Sequence, residues 1–224
     1  QMPCLPPNTT YYVRLDGDDV TGNQGNFDFA ITDNGVPNVY PTNDDICAAV
    51  DFGVVPLGGT TATVAGNNIC ATEQFAEPNV SGGTLYDGLN YDETVWYKFT
   101  TGAATPGTTS IIVNPSTITP SIRLYQATNG FTCSFLNLTQ ITSTQGIIPG
   151  PLTLNVDCLT PNTTYFVQID GVDLLFQDRG TFSIRVADDG ASEAAPANND
   201  VCAHQNLVVG AAATAGDNRC AHVQ

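Results

Sequence analysis

The sequence predicts an all-β protein made of disulfide-stapled, jelly-roll-type β-sandwiches in tandem repeats of about 154 residues. Three observations support this prediction. One motif occurs twice, several segments alternate apolar and polar residues, and the 224 residues include 7 cysteines. The composition agrees, because Thr suits a half-exposed strand while Gly, Asn and Pro suit the turns between strands.

Two pairs of matching blocks define the repeat. Residues 161–171 (PNTTYFVQIDG) match residues 7–17 (PNTTYYVRLDG) at eight of eleven positions, with an offset of 161 − 7 = 154. The block NDDIC, which ends at Cys47, returns as NDVC at Cys202, with an offset of 202 − 47 = 155. Chance similarity would not preserve order and spacing across two blocks, so both belong to one repeating unit.

The period divides the chain into five parts. Residues 43–188 are expected to form one complete repeat, residues 1–34 the end of the repeat before it, and residues 198–224 the start of the repeat after it. Residues 35–42 and 189–197 are short, polar and contain Pro, which predicts semi-rigid linkers. We therefore expect these 224 residues to be a segment of a longer chain.

Six segments of the complete repeat have the alternation of a half-buried strand, and Gly, Pro and Asn clusters separate them. The predicted strands are 94–100, 109–113, 121–125, 152–156, 165–169 and 181–186. A strand is also predicted at 25–31, where the first copy has the same glycine-aromatic pattern. A short helical turn is predicted at 45–50, capped by Asn43, Asp44 and Asp45, with an interdomain Ca²⁺ as the alternative role of these three residues. About eight to ten strands are expected in the domain.

The cysteines predict a disulfide framework, although seven is an odd number for an oxidised protein. The repeat accounts for the odd one, because every cysteine except Cys133 has a counterpart in another copy. The counterparts are Cys4 with Cys158, Cys47 with Cys202, and Cys70 with Cys220. The simplest pairing is Cys47–Cys70, Cys133–Cys158 and Cys202–Cys220. Cys4 then pairs upstream of residue 1, and the protein is expected to be extracellular or on the cell surface.

The sequence resembles a repeated domain of very large secreted and surface proteins of Bacteroidota. The matching stretches are residues 43–47 (NDDIC), 92–100 (DETVWYKFT), 159–171 (LTPNTTYFVQIDG) and 180–182 (GTF). In that family the domains are β-sandwiches similar to bacterial pre-peptidase C-terminal domains, in proteins exported by the type IX secretion system that include gliding-motility adhesins. The resemblance implies a structural or adhesive role in an extracellular filament, with neighbouring repeats and laterally associated copies as partners. It implies no catalytic residues.

The charge argues against two classes of partner. Lys and Arg number 6 against 22 Asp and Glu, which gives a net charge of −16. Such a surface repels nucleic acid and anionic membranes. No apolar run in the sequence approaches the ~20 residues that span a bilayer, so membrane insertion is not expected. Divalent cations are the natural counter-charge.

Two acidic loops are candidate Ca²⁺ sites, because carboxylate and carbonyl oxygens are the usual ligands of this ion. Asp16, Asp18 and Asp19 belong to the first loop, and Asp170 and Asp173 belong to the second. The alternative is a solvated turn that follows a strand. No other cofactor is expected.

Trp96 is the only tryptophan and a candidate for stacking on a sugar ring. Alternation places Val95, Tyr97 and Phe99 on one face of a strand, and Trp96 and Lys98 on the other. The alternative is a core or interdomain packing role for Trp96. A sugar-binding Trp96 would make the protein a carbohydrate-binding module array with polysaccharide as its partner.

An enzyme is not expected. The complete repeat contains no His, so it cannot assemble a Ser/His/Asp triad, and Glu73, Glu77 and Glu93 are interpreted as ordinary loop residues. The first hypothesis is a structural repeat of a long extracellular filament or cell-surface adhesin. The alternatives are the carbohydrate-binding array and an accessory domain of a secreted enzyme.

Overall fold

The computed structural model divides the chain into two compact units, Gln1–Val39 and Tyr40–Gln224. The structure describes residues 4–5, 8–16, 25–33, 35, 40–72, 74, 77–78, 93–115, 117–128, 133–172, 179–192, 209 and 220. No helix in these ranges is long and apolar enough to cross a membrane.

The described part of the second unit contains nine strands in two sheets. The strands are β1 (Val50–Val55), β2 (Val64–Asn67), β3 (Val95–Thr101), β4 (Thr109–Pro115), β5 (Pro120–Ala127), β6 (Leu138–Gln145), β7 (Leu152–Val156), β8 (Thr164–Gly171) and β9 (Thr181–Asp188). A five-stranded sheet has the order β1-β3-β8-β5-β6, and a four-stranded sheet has the order β2-β9-β4-β7. Short 3-10 helices at Ile46–Ala48 and Phe135–Asn137 precede β1 and β6.

The two sheets bury one hydrophobic core between them. Alternate residues of β3, β8 and β9 point into it, as the period-2 pattern predicts. The core residues from these strands are Val95, Tyr97, Phe99, Tyr165, Val167, Ile169, Phe182, Ile184 and Val186. The predicted all-β sandwich is therefore confirmed. Its parallel pair, β1 with β3, is a feature that a purely antiparallel jelly roll does not have.

All six strands predicted in the complete repeat are present, and no end differs from the prediction by more than two residues. The three strands that were not predicted, β1, β2 and β6, all lie at sheet edges. Edge strands have one partner and more solvent contact, so their side chains alternate less clearly. In β6, for example, five of the eight residues are exposed.

The first unit differs from the prediction. No strand is assigned among its described residues, so the strand predicted at 25–31 is wrong. Several large apolar side chains of this unit are exposed, including Tyr12, Phe27 and Ile31.

Candidate functional site

The outer face of the five-stranded sheet carries a second hydrophobic cluster, separate from the core. Ile46, Trp96, Tyr125 and Phe166 are buried there, and Phe135 packs against them. The two 3-10 helices therefore cover a face that would otherwise be open to solvent. This cluster is the candidate functional site, because it contains the only tryptophan and a buried carboxylate.

Trp96 lies at the centre of this cluster and is 0% exposed. Its ring centroid lies 5.8 Å from that of Tyr125 and 5.5 Å from that of Phe135. Stacking on a sugar requires an exposed ring face, so the sugar-stacking prediction is wrong, and Trp96 has a packing role in this second cluster. Alternation assigned the correct face of β3, but it could not show that distant segments cover that face.

The Glu77 carboxylate is buried beside Trp96 and accepts four hydrogen bonds. Its Oε1 accepts from Thr94 Oγ1, from Trp96 Nε1 at 3.0 Å and from Gln168 Nε2 at 3.0 Å. Its Oε2 accepts from the Gln74 backbone N–H at 2.8 Å. Burial raises the pKa of Glu77 from its ordinary value, and these hydrogen bonds oppose that rise.

The polar cluster continues from Glu77 across the sheet. The Tyr125 hydroxyl donates to Gln168 Oε1 at 2.9 Å, and burial raises the pKa of Tyr125. Gln168 Nε2 also donates to the Pro78 carbonyl at 3.2 Å. The network attaches Gln74, Glu77 and Pro78 to β3, β5 and β8, so its evident role is structural.

Two carboxylates interpreted as ordinary loop residues are buried. Glu77 is 7% exposed and Glu93 is 6% exposed, and Arg179 forms an ion pair with Glu93 at 2.6 Å. No local pattern marks either residue, because the side chains that contact their carboxylates lie far away in the sequence.

The opening Asn-Asp-Asp motif anchors three different elements. Asp45 caps the first 3-10 helix by accepting from the Cys47 backbone N–H at 2.7 Å, which confirms the predicted cap. Asn43 instead donates to the Trp96 carbonyl at 2.9 Å, and Asp44 accepts from the Thr72 backbone N–H at 2.6 Å. The prediction that all three residues cap one turn is therefore wrong for Asn43 and Asp44.

The disulfides join residues that are far apart in the sequence. Cys47 bonds Cys133 across 86 positions, with a Cα–Cα distance of 5.2 Å. Cys158 bonds Cys220 across 62 positions, also with a Cα–Cα distance of 5.2 Å. Both distances are usual for a disulfide.

The predicted cysteine pairing is therefore wrong. It joined sequence neighbours, whereas the packing of strands and loops brings distant cysteines together. The pairs Cys47–Cys70 and Cys133–Cys158 do not form, and Cys220 does not bond Cys202. Cys4 and Cys70 are also disulfide-bonded in this chain, so Cys4 does not depend on an upstream partner. Cys202 lies outside the described residues.

The structure describes only part of the two candidate Ca²⁺ loops. Asp16 is exposed and pairs with Arg14 at 2.9 Å, and buried Asp170 accepts from the backbone N–H of the next residue at 2.7 Å. Asp18, Asp19 and Asp173 lie outside the described residues. Within the described ranges, no three His, Cys, Asp or Glu side chains are grouped to hold a metal ion. The Ca²⁺ prediction stays untested.

A groove of about 580 Å³ opens beside the Cys47–Cys133 disulfide. Its lining is largely polar and includes Lys98, Gln126 and Asn162. The one aromatic ring in this lining, Phe166, is itself buried. The described residues of the groove therefore offer hydrogen-bonding groups but no exposed ring for a sugar to stack on.

No protein-family model and no curated protein matches this sequence. Among solved structures, the chain is similar to the pre-peptidase C-terminal domain of a collagenase from Bacillus anthracis, with 16% identity and a TM-score of 0.32 over 62% of this chain and 93% of that one. It is also similar to CorA, a surface-associated copper-binding protein of Methylomicrobium album, with 9% identity and a TM-score of 0.37 over 62% of this chain and 98% of that one. A third similar structure is PliG, a periplasmic inhibitor of g-type lysozyme from Aeromonas hydrophila, with 12% identity and a TM-score of 0.33 over 62% of this chain and 99% of that one. Likenesses of this size transfer neither a ligand nor an activity.

Proposed function

We propose that this chain is part of a tandem-repeat structural protein of an extracellular filament or cell-surface adhesin. Sandwiches equivalent to residues 43–188 follow one another along the polypeptide. Residues 1–34 close the repeat before this one, and residues 198–224 open the repeat after it. The proposal assigns no catalytic residue.

One observation carries this proposal: equivalent apolar positions of the repeat have opposite environments in its two copies. The exposed fractions are 94% for Tyr12 against 4% for Phe166, 69% for Phe27 against 4% for Phe182, and 79% for Ile31 against 0% for Val186. Burying one such side chain is worth roughly 1.5–3 kcal/mol. A segment that exposes this much apolar surface has the side chains of a sandwich core without the strands that would cover them. Those strands belong to the preceding repeat.

The backbone at equivalent positions supports the same conclusion. Among the described residues, seven other than Gly have a positive φ, which is uncommon for such residues. Six of them form three pairs related by the repeat. The pairs are Cys4 and Cys158 at 64° and 63°, Asn8 and Asn162 at 57° and 52°, and Cys70 and Cys220 at 64° and 56°. The copies therefore share a positive φ at these three positions.

The disulfides and the charge fit an extracellular role. Disulfides persist outside the cytosol, so the protein is extracellular or belongs to the cell envelope. A net charge of −16 keeps such a protein soluble and limits unspecific association. The carbohydrate-binding alternative loses its main support, because Trp96 is buried.

The mass of the source polypeptide tests the proposal. On a denaturing, reducing gel we expect a band far above the 23.6 kDa of these residues, with peptides by mass spectrometry that recur at about 154-residue intervals. Electron microscopy of the same material should show thin chains whose length increases with polypeptide mass. A single band at 23.6 kDa would contradict the proposal.

A further inference from the structure

We propose that the Cys158–Cys220 disulfide is a covalent clasp between successive repeats, an inference that rests on the tandem-repeat function proposed above. Cys158 belongs to the complete repeat and Cys220 to the segment assigned to the next one. The two are bonded, and the linker 189–197 lies between them in the sequence. Successive repeats are thus joined twice, once by the backbone and once by sulfur.

Cys158 lies at the end of the sandwich from which the chain leaves. Thr109 on β4 pairs with Val156 on β7 and with Asp188 on β9. The ends of β7 and β9 are therefore two strand spacings apart, about 10 Å. Cys158 follows β7 by two residues, and the chain leaves the sheet after Asp188. The chain that continues into the next repeat therefore starts about 10 Å from the end of β7, close enough for a cysteine of that repeat to bond Cys158.

The exit from the sandwich is held in place by one carboxylate. The Asp188 side chain accepts from the backbone N–H groups of Gly58 at 2.8 Å, Gly107 at 2.9 Å and Gly190 at 2.9 Å. Three loops are thus fixed around the last residue of β9. The direction in which the linker starts is set by the domain, which favours a defined position for the next repeat.

Cys70, the counterpart of Cys220, lies at the opposite end of the same sheet. Residues 65–71 (AGNNICA) and 215–221 (AGDNRCA) share five of seven positions. In the complete repeat, Asn68 Oδ1 accepts from the Gly180 backbone N–H at 2.8 Å, which places Cys70 beside the beginning of β9. Since β9 has eight residues, its two ends lie roughly 24 Å apart.

A disulfide-bonded cysteine is therefore present at each end of the domain. The exit end has Cys158, and the opposite end has Cys70. Joining a Cys158-type residue to a Cys70-type residue of the next copy connects domains head to tail, as a linear array requires. In forming the bond, the two thiols release two protons and give two electrons to an external disulfide oxidant, which is reduced to a dithiol.

Cleavage of the linker tests the clasp. Residues 192–197 are replaced by the recognition sequence of a site-specific protease, and the cut protein is alkylated, denatured and weighed by mass spectrometry. Without reductant we expect one species that contains both fragments, and with reductant two separate fragments. The variant with Cys158→Ser and Cys220→Ser should release the C-terminal fragment without reductant. The matched variant with Cys47→Ser and Cys133→Ser should retain it.

Release of the C-terminal fragment from the otherwise unchanged protein, or a mapped Cys202–Cys220 bond, would overturn the clasp. This measurement needs no cysteine variant, so misfolding of a variant cannot obscure it. The two proposals also fail separately. Release from a source polypeptide of many repeats overturns the clasp alone. Retention in a source polypeptide of 23.6 kDa overturns the tandem-repeat proposal and leaves the bond as a staple within one molecule.

Discussion

Replacing Glu77 with Ala removes an acceptor that three buried donors share. Thr94, Trp96 and Gln168 are each 0% exposed, so water cannot replace the carboxylate. Gln168 keeps its second acceptor, the Pro78 carbonyl, whereas the indole N–H of Trp96 and the hydroxyl of Thr94 lose their acceptor. A buried donor without a partner costs roughly 1–3 kcal/mol. Glu77→Ala should therefore lower the free energy of unfolding by about 4 kcal/mol.

The single tryptophan makes this loss easy to measure. Urea unfolding with the disulfides intact can be followed by Trp96 fluorescence, which reports on the same cluster. Glu77→Gln is the control, because its amide oxygen can still accept from Trp96. The NH2 group of the substituted side chain would face the Gln74 backbone N–H, and two donors cannot bond each other. Glu77→Gln should therefore lower the free energy of unfolding by about 1–2 kcal/mol. An unfolding free energy of Glu77→Ala within about 0.5 kcal/mol of the parent protein would refute the reasoning.

Three further measurements follow from the same structure. Burial raises the pKa of Glu77 from its ordinary value of 4.5, so the folded state binds the proton more tightly than the unfolded state does. The free energy of unfolding should therefore fall as the pH rises from the pKa of the unfolded state through the pKa of the folded state. Glu77→Gln should flatten this step in urea titrations at several pH values. The Cys47→Ser, Cys133→Ser variant opens a loop of 86 positions and should cost about 4 kcal/mol, seen as a melting temperature lower by on the order of 10 °C. Asp188→Ala leaves three backbone donors without their acceptor and should cost about 3 kcal/mol, whereas Asp188→Asn should lose less. Equal melting temperatures for the two Asp188 variants would contradict that role.

The strands that pack on both sides were predictable from the sequence. In β3, the order Val-Trp-Tyr-Lys-Phe assigns both faces correctly, because successive side chains of a strand point to opposite faces of the sheet. In β6 the pattern is nearly all polar, because the strand lies at an edge and buries little. Alternation therefore reports burial, and it fails where a strand is exposed.

The candidate site was not predictable in the same way. Trp96 is covered by Ile46 and Phe135, which lie 50 and 39 positions away in the sequence. Glu77 is buried where Thr94, Trp96 and Gln168 donate to its carboxylate, and these residues lie 17 to 91 positions away. The disulfide pairs depend on the same long-range packing. Pairing cysteines by their spacing in the sequence favours disulfides that close short loops. In a sandwich, residues far apart in the sequence become neighbours, and their disulfides close long loops.

In the proposed tandem-repeat protein, the cysteines with a positive φ have a consequence for how the copies can vary. Cys70, Cys133 and Cys158 have φ values of 64°, 57° and 63°, a conformation that costs a residue other than glycine on the order of 1–2 kcal/mol. A copy that loses a disulfide keeps this cost but no longer has the cross-link that offsets it. Glycine and asparagine tolerate the same backbone best. Copies without a given bond should therefore carry Gly or Asn at these positions, and Ser or Ala rarely.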